Sequence, residues 1–225
     1  MVDFSTNVSY IWRLLSENER ETLRKCICIE HYKKNRVIYS EGDKPQYLMC
    51  LLKGKVKVYK AGVGGRSHII GVIRPIQYFA YRAYFAGEDY KTDAMAIETS
   101  TVCLVPLTVV DEIFKSNFNI CQFFIKQLCI DLGISNERTV NLTQKHIRGR
   151  LAEALVFLID NYGLEEDNTL NIYLARGDLA NFSNMTASNA IRTLSMFVKE
   201  KVIALYGRKI KILDEEKLRK ISLLG

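Results

Sequence analysis

The segment RGDLANFSNMTASNAIRTLSMF, residues 176–197, has the pattern of two short helices joined by a tight turn. At about 100° per residue, a helix over residues 187–199 has an apolar arc and an opposite polar arc. The apolar arc consists of Ala190, Ile191, Leu194, Phe197 and Val198. The polar arc consists of Ser188, Asn189, Arg192, Ser195, Met196 and Lys199. Thr186 directly precedes this helix and is a favourable N-cap residue, so we expect the helix to begin at residue 187.

The first helix of the pair is predicted over residues 177–183, with Leu179, Ala180 and Phe182 on its inner side. Ala180 is small where two helices must cross closely. Asn184 lies where a tight turn needs a left-handed residue, and asparagine is the usual second choice after glycine. These features predict a helix-turn-helix, whose second helix enters the major groove of DNA with its N-terminus first.

The outer face of the second helix favours contact with DNA. A plain helical hairpin with a solvated outer face is the alternative, but such a face usually carries several Glu and Lys residues. Between residues 176 and 211 the only acids are Asp178 and Glu200, against seven Lys and Arg. Short hydroxyl and amide side chains and one Arg can approach base edges and phosphates.

Residues 202–213, VIALYGRKIKIL, read as strand, turn and strand, which is the wing of a winged helix. Arg208 and Lys209 lie at the predicted tip, where they can meet phosphates. The predicted DNA-binding residues are Arg176, Thr186, Ala187, Ser188, Asn189, Arg192, Ser195, Lys199, Arg208 and Lys209.

The composition of the chain is that of an ordinary globular protein. It has 225 residues, 48% of them hydrophobic and 25% charged, and a formal net charge of +7 that favours a polyanionic partner. The sequence has neither a secretory signal pattern nor an apolar run long enough for a bilayer, so we expect a cytoplasmic protein without a membrane partner. No nucleophile with a base, carboxylate pair or metal set appears in motif form, so we do not expect an enzyme.

The cysteines do not have the spacing of a metal site. Cys26 and Cys28 have one intervening residue, whereas chelating pairs have two to four, and no second close pair completes four ligands. We therefore expect the six cysteines to be buried free thiols. The histidines His31, His68 and His146 are scattered, although the sequence leaves open whether Cys26, Cys28 or His68 takes part in redox or haem sensing.

The N-terminal half changes from helical to β texture. Residues 9–25 have helical spacing with a second helix start at Ser16. From Lys33, β-branched and aromatic runs are cut by turns at residues 41–43, 53–54, 62–65 and 74–75. Residues 93–106 add two more strands, which end at Pro106. This spacing predicts an all-β roll or barrel.

A long helical seam follows the strands. Residues 107–142 are almost free of Gly and Pro, and a repeat at spacings of three and four predicts a seam for another helix. The seam residues are Phe124, Leu128, Leu132, Ser135, Thr139 and Leu142. The alternative is a helix that lies on its own β domain; the length and the weakly polar lower half favour a dimer seam.

A further helix starts near Thr143 and carries basic residues at its beginning, namely Lys145, His146, Arg148 and Arg150. Positive charge is unfavourable at a helix N-terminus. We therefore expect these four side chains to have another task.

The order of these motifs resembles the catabolite-activator (CRP/FNR) family of bacterial transcription regulators. The resemblance is carried by residues 39–43 (YSEGD), 48–59 (LMCLLKGKVKVY), 141–142 with 149–152 (GRLA), and 176–198. It implies an α+β protein with a cyclic-nucleotide-binding-like β-roll (a double-stranded β-helix) at residues 1–119, a dimerisation helix at 120–142 and a winged helix-turn-helix at 143–225. It further implies a homodimer on a pseudo-palindromic double-stranded DNA operator, RNA polymerase as a partner, and a small-molecule effector of the β-roll.

Residues 79–92, FAYRAYFAGEDYKT, depart from the cyclic-nucleotide-binding members of that family. The ribose-binding Glu is replaced by Tyr81 and the phosphate-binding Arg by Lys91, while Glu88 and Asp89 would repel a cyclic phosphate. We therefore expect an effector other than cyclic AMP. The predicted effector pocket comprises Tyr81, Arg82, Lys91, Thr92, Ser135 and Asn136.

Other departures leave the signal and the operator open. The aromatic residues Tyr78, Tyr81, Tyr84 and Phe85 either line a pocket for an apolar or redox ligand or fill a core. Oxygen-sensing members hold an iron–sulfur cluster with a tight N-terminal cysteine group that Cys26 and Cys28 do not reproduce. Ala187 and Ser188 replace the family's frequent Arg-Glu pair, whereas Arg192 matches its base-contacting Arg, so the operator is expected to differ from the familiar one. The alternative function is a small-molecule or haem-binding sensor whose DNA binding is secondary.

Overall fold

The computed structural model describes residues 9–62 and 67–225, which form two compact units. Of these residues, 9–60 and 71–134 belong to the first unit, and 61–62, 67–70 and 135–225 belong to the second. Most of the turn predicted at residues 62–65, and the first residues of the N-terminus, lie outside the described residues. The predicted domain limits at 119/120 and 142/143 remain predictions.

The first unit contains short N-terminal helices, the β-roll and the start of a long helix. Its helices are α1 (Ser9–Leu14), α2 (Glu17–Cys26), α3 (Arg82–Phe85), α4 (Leu107–Ser116) and the beginning of α5 (Phe118–Gln144). Its strands are β1 (Cys28–Tyr32), β2 (Val37–Tyr39), β3 (Tyr47–Lys53), β6 (Tyr78–Phe79), β7 (Asp93–Ala96) and β8 (Ser100–Pro106), with most of β4 (Val56–Ala61) and the last residues of β5 (Ser67–Ile73). Two four-stranded sheets result, with strand orders β1-β8-β3-β6 and β2-β7-β4-β5.

Alternation along β3 and β8 buries both faces of the first sheet. Met49 and Leu51 enter the cluster inside the roll, whereas Leu48 and Cys50 enter a second cluster with α1, α2, α4 and α5. Successive side chains of a strand point to opposite faces, which explains why these strands read as continuous apolar runs. The predicted β-roll is confirmed.

The turn at Lys53 and Gly54 requires glycine. Gly54 has φ +93°, a left-handed conformation that side chains rarely adopt. A Cβ atom there would also lie 2.6 Å from the carbonyl oxygen of Thr99. Any larger residue would therefore separate β3 and β4 from the adjoining 99–100 turn.

Two expectations for this unit are wrong. The strands begin at Cys28, not after Lys33, because β1 is a largely exposed edge strand whose charged and polar side chains conceal it in the sequence. The thiols are also not uniformly buried, because Cys28 and Cys129 are exposed. Cys50 and Cys103 are buried opposite each other on β3 and β8, and burial raises their pKa values to about 12 and about 11.

The second unit contains the end of α5 and the C-terminal elements. These are α6 (Ile147–Tyr162), α7 (Arg176–Phe182), α8 (Ala187–Lys199), β9 (Ile203–Tyr206), β10 (Lys209–Ile212) and α9 (Glu215–Leu224). Its core includes the fully buried Leu155, Leu194 and Phe197. Gly149 of α6 permits close approach of the chain end, because a Cβ atom there would lie 2.5 Å from Gly225.

Residues 67–70 of β5 also contact the helical part of the second unit. Nδ1 of His68 lies 3.1 Å from the carbonyl oxygen of Asn181, which requires a proton on Nδ1 because a carbonyl oxygen can only accept. The guanidinium of Arg138 lies over the rings of Phe157 and Phe182, at 4.5 and 5.0 Å from their centroids. Among the described residues, every helix is too short or too polar to cross a bilayer.

Candidate nucleic-acid interface

Helices α7 and α8 form the predicted helix-turn-helix. Asn184 in the turn has φ +50°, and the amide of Met185 donates to the carbonyl of Ala180 at 3.0 Å. Thr186 caps α8, since its hydroxyl accepts from the amide of Asn189 at 3.3 Å. Ala180 is buried, as the close helix crossing requires. The turn chemistry read from the sequence is therefore confirmed.

The buried side of α8 differs from the predicted apolar arc. Ala190, Thr193, Leu194 and Phe197 are buried, whereas Ile191 and Val198 are 52% and 39% exposed. A surface helix buries only one side. In this 13-residue helix the buried side includes Thr193, so Ile191 and Val198 lie outside it. The prediction that Ile191 and Val198 belong to the core is wrong. The predicted apolar arc contained only apolar residues, whereas the buried side of the helix also contains the polar Thr193.

The predicted recognition residues share one exposed side of α8. Ser188, Arg192, Ser195 and Lys199 are exposed and follow each other at spacings of three and four. Ala187 is also exposed, while Thr186 and Asn189 are half-buried at the cap. The Ser195 hydroxyl donates to the carbonyl of Ile191 at 3.0 Å, which leaves its oxygen as an acceptor. This surface presents a guanidinium among short polar side chains.

Strands β9 and β10 form the predicted wing. They pair antiparallel from Lys209 opposite Tyr206 to Ile212 opposite Ile203, with Gly207 and Arg208 in the turn. Arg208 is exposed. The ammonium of Lys209 lies 5.1 Å from the centroid of the Tyr173 ring and 3.8 Å from a carboxylate oxygen of Glu165. The two predicted wing cations therefore differ, because Lys209 already has partners within the unit.

Arg176 connects the start of α7 to the wing. Its Nη2 donates to the carbonyl of Gly207 at 2.6 Å, and its Nη1 is buried without a hydrogen-bond partner among the described residues. Burial lowers the pKa of this guanidinium. Arg176 thus positions the wing turn, a structural role that the sequence did not indicate.

Three of the four basic residues predicted to have another task at the start of α6, namely Lys145, Arg148 and Arg150, have partners within the unit. Arg148 forms a bidentate ion pair with Glu200, directly after α8. Lys145 lies 3.2 Å from Glu153, and Nη1 of Arg150 donates to the carbonyl of Leu142 at 3.3 Å. The hydrogen bond from Arg148 lowers the pKa of Glu200, so one of the two acids between residues 176 and 211 is neutralised locally.

The sequence analysis did not predict that residues 169–170 pair with strand β10 of the wing. Thr169 bridges to Lys211, and the amide of Leu170 donates to the carbonyl of Ile210 at 2.8 Å. Leu170 and Ile172 are buried. The alternation of apolar and polar residues over 170–174 is the signal that could have predicted this segment.

The predicted effector residues lie in different environments. Tyr81 is buried, its pKa is raised by burial, and its hydroxyl has no hydrogen-bond partner in the described parts of the chain. Arg82 is exposed and forms an ion pair with Glu88 at 2.7 Å. Lys91 is exposed, and Thr92 Oγ1 lies 3.4 Å from the Tyr39 hydroxyl. Ser135 and Asn136 are exposed and belong to the second unit.

The aromatic residues near Tyr81 mainly fill a core. The rings of Tyr78 and Tyr81 contact Phe124 edge to face, at centroid distances of 5.5 and 5.0 Å. Phe85 stacks on Phe114 at 5.1 Å and is 40% exposed. An apolar cavity of about 60 Å³ lies beside Tyr78, Cys50 and Phe124. In the described chain, no group of three or more His, Cys, Asp or Glu side chains is placed to hold a metal ion.

The predicted seam on α5 is exposed only in its later part. Phe124 is 3% exposed and packs in the core of its own unit, so the alternative interpretation is correct for this residue and its assignment to a dimer seam is wrong. Leu128 packs against the same core, whereas Leu132 is 62% exposed. Ser135 and Thr139 are exposed and Leu142 is half-buried. Further exposed apolar side chains on α5 are Phe118, Ile125, Ile130, Ile134 and Val140.

Comparisons with known proteins match both halves of the chain. The family model of the cyclic nucleotide-binding domain matches residues 29–117, and that of the Crp-like helix-turn-helix domain matches residues 149–221. Electron transport regulator A of Shewanella oneidensis is 24% identical over 191 residues, which is 84% of this chain and 76% of that protein. The fumarate and nitrate reduction regulatory protein of Vibrio cholerae is 24% identical over 213 residues, 92% of this chain and 84% of that protein. The structure of FixK2 from Bradyrhizobium japonicum has a TM-score of 0.79 at 20% identity and covers 87% of this chain and 96% of that chain.

Proposed function

Because the chain belongs to the CRP/FNR family of DNA-binding transcription regulators, we propose that it binds a pseudo-palindromic operator as a homodimer, with α8 of each subunit in the major groove. The observation that carries this proposal is the exposed side of α8, where Ser188, Arg192 and Ser195 stand on a helix anchored by buried Leu194 and Phe197. A rigid helix holds these side chains in fixed relative positions, as base readout requires.

Each polar side chain on α8 has a role that its chemistry supports. Arg192 lies about midway along the helix, and its guanidinium can donate to O6 and N7 of one guanine. Ser188 and Asn189 in the first turn are placed for base edges or nearby phosphates, and Ser195 offers an acceptor. Lys199, in the last turn, contacts phosphate.

The ends of α8 and the wing supply the remaining phosphate contacts. Thr186 and Ala187 bring the helix N-terminus, with its backbone amides, to a phosphate. Arg208 is the stronger candidate for a phosphate contact from the wing, because the positive charge of Lys209 is partly compensated by the nearby carboxylate of Glu165. Arg176 acts indirectly by fixing the wing turn.

The homodimer is proposed to form along α5. Leu132, Ser135, Thr139 and Leu142 supply the seam, and the exposed Ile125, seven residues before Leu132 and therefore on the same side of the helix, extends the surface that a partner helix would cover. A dimer of this kind holds two copies of α8 related by a two-fold axis, so the operator that it binds is expected to have the same symmetry.

The β-roll is proposed to sense a small molecule other than cyclic AMP. Tyr81 offers a buried hydroxyl where binding members have a carboxylate, and the nearby cation Arg82 already pairs with Glu88. Lys91 is the remaining cation of the predicted pocket. Occupancy of the β-roll then modulates DNA binding, with RNA polymerase as the partner at the promoter. We propose that the protein acts in the cytoplasm as a regulator and not as an enzyme.

The test is selection of binding sequences from a random duplex pool with the full chain. Enrichment of a two-fold symmetric sequence is expected. Ser188→Asp serves as the control: an Asp in the first turn of a helix favours the helix but places a carboxylate toward DNA, so binding is lost without unfolding. Failure of the wild type to enrich any sequence contradicts the proposal and favours a small-molecule or haem-binding sensor with a secondary DNA-binding role.

A further inference from the structure

Ile191 is an exposed apolar residue on the side of α8 that carries the polar recognition residues. It is 52% exposed, although its β-branched side chain is of the type that usually enters a core. At 3.6 residues per turn, Ile191 lies beside Ser188 (three residues earlier) and Ser195 (four residues later). Its neighbour Arg192 is exposed on the same side.

The packing of α8 explains why Ile191 faces outward. Ala190, Thr193, Leu194 and Phe197 fill the buried side, with Phe197 fully buried. Because Thr193 is buried, the buried side of the helix extends toward Thr193 and leaves Ile191 beyond its other edge. The hydroxyl of Ser195 donates to the carbonyl of Ile191, so Ser195 has no free donor beside the Ile191 methyl groups.

We propose that Ile191 is a specificity-determining residue that contacts the 5-methyl group of a thymine next to the base pair read by Arg192. This inference rests on the proposed function. In the major groove only the A·T pair presents a methyl group, which makes an apolar side chain a selective contact for thymine. The surrounding serines are short, so Ile191 reaches the groove floor without displacing them.

Val198 provides a matched control. It is also β-branched and exposed, and it follows Ile191 by seven residues on nearly the same side of α8. Seven residues correspond to about 10 Å along a helix. Because a recognition helix enters the groove with its N-terminus first, Val198 lies farther from the base edges.

The experiment compares wild type, Ile191→Ala and Val198→Ala. Each full-length protein selects sequences from a random duplex pool, and affinities are then measured on the wild-type operator with individual thymines replaced by deoxyuridine, which lacks only the methyl group. For the wild type, one symmetric pair of replacements is expected to weaken binding about fourfold per half-site, the effect of one methyl group removed from contact. Ile191→Ala should lose that sensitivity and the thymine preference, whereas Val198→Ala should retain both.

The outcomes separate the inference from the function on which it rests. If the wild type enriches an operator but no deoxyuridine replacement changes its affinity, or if Ile191→Ala keeps the sensitivity, the thymine contact is refuted and the DNA-binding function stands. Equal loss of thymine preference in Ile191→Ala and Val198→Ala also refutes it, because helix stability then accounts for the effect. If the wild type enriches no sequence, the proposed function fails and the inference fails with it.

Discussion

Arg148 at the start of α6 donates to both carboxylate oxygens of Glu200 just beyond α8, with Nη1–Oε1 and Nη2–Oε2 distances of 2.7 and 2.5 Å. The same guanidinium lies 5.0 Å from the ring centroid of buried Phe197. The pair therefore fixes the C-terminal end of the recognition helix against α6. Bidentate, charge-assisted pairs of this kind are more directional than a simple ion contact.

Glu200→Gln should reduce the free energy of unfolding by about 1 kcal/mol at neutral pH, because the side chains are about one-third exposed. Arg148 lowers the pKa of Glu200 below its ordinary value of 4.5. The stabilisation is therefore present above pH 4.5 and is lost as the pH falls through the lower, folded-state value. Urea unfolding at several pH values should show a shallower acid loss in Glu200→Gln than in the wild type.

A double-mutant cycle with Arg148→Ala controls for effects outside the pair. The exposed pair Arg24–Glu17 offers a matched comparison, since its side chains are 56% and 68% exposed and its coupling should be smaller. Equal coupling energies in the two cycles would show that the Arg148–Glu200 contact does not fix α8.

Leu132→Asp should convert the dimer to a monomer. Leu132 is 62% exposed in one chain, so the substitution leaves the fold of the subunit unchanged but places an unpaired charge in the proposed seam. Analytical ultracentrifugation at micromolar concentration measures the change. Lys126→Asp, on the opposite side of α5, is the control and should remain dimeric; a monomeric wild type, or dissociation of both variants, contradicts the seam.

Cyclic AMP should bind weakly or not at all. The predicted ribose position holds the buried Tyr81, and Glu88 is an unfavourable neighbour for a cyclic phosphate. Isothermal titration calorimetry with a cyclic-AMP-binding family member as positive control checks this expectation. Micromolar affinity for the present chain would contradict it.

The pKa of His68 should lie below its ordinary value of 6.5, because burial disfavours the imidazolium and Arg138 repels it, although the hydrogen bond to Asn181 opposes the shift. The unfolded chain then binds a proton more readily, so stability falls as the pH drops through 6.5 and levels off below the folded-state value. An NMR titration of the His68 ring gives the midpoint directly. A midpoint above 6.5 would show that His68 is not buried beside Arg138.

The order of helices and strands is largely predictable from the sequence, because helix caps and tight turns are determined by residues close together in the chain. Ser16 caps α2 with a full capping box, Asn184 adopts the left-handed turn, and Thr186 caps α8, as their side-chain chemistry requires. Strand β1 is missed because an edge strand with an exposed Glu30 and His31 lacks the apolar alternation of a half-buried strand. Its position depends on pairing with β8, a contact distant in sequence.

The candidate site is predictable in its polar residues but not in its packing. Ser188 and Arg192 are exposed as expected, whereas Ile191 is exposed because Thr193 occupies the inner side. Arg176 and Arg148 were predicted to be cations with an external or unknown task, and their intramolecular partners Gly207 and Glu200 come from other elements. Long-range partners of this kind leave no periodic signal in one sequence.

The ratio of affinities for operator and random duplex, measured for wild type, Arg192→Ala and Lys209→Ala at several salt concentrations, tests the central claim most directly. Arg192→Ala should abolish the preference for the operator while leaving weak, salt-sensitive binding, since a bidentate guanine contact contributes roughly 1–3 kcal/mol of discrimination. Lys209→Ala should weaken both duplexes alike and reduce the salt slope by less than one unit, because Lys209 already lies beside Glu165. If Arg192→Ala instead lowers both affinities equally, Arg192 contacts only phosphate, and the claim that it reads bases from α8 is contradicted.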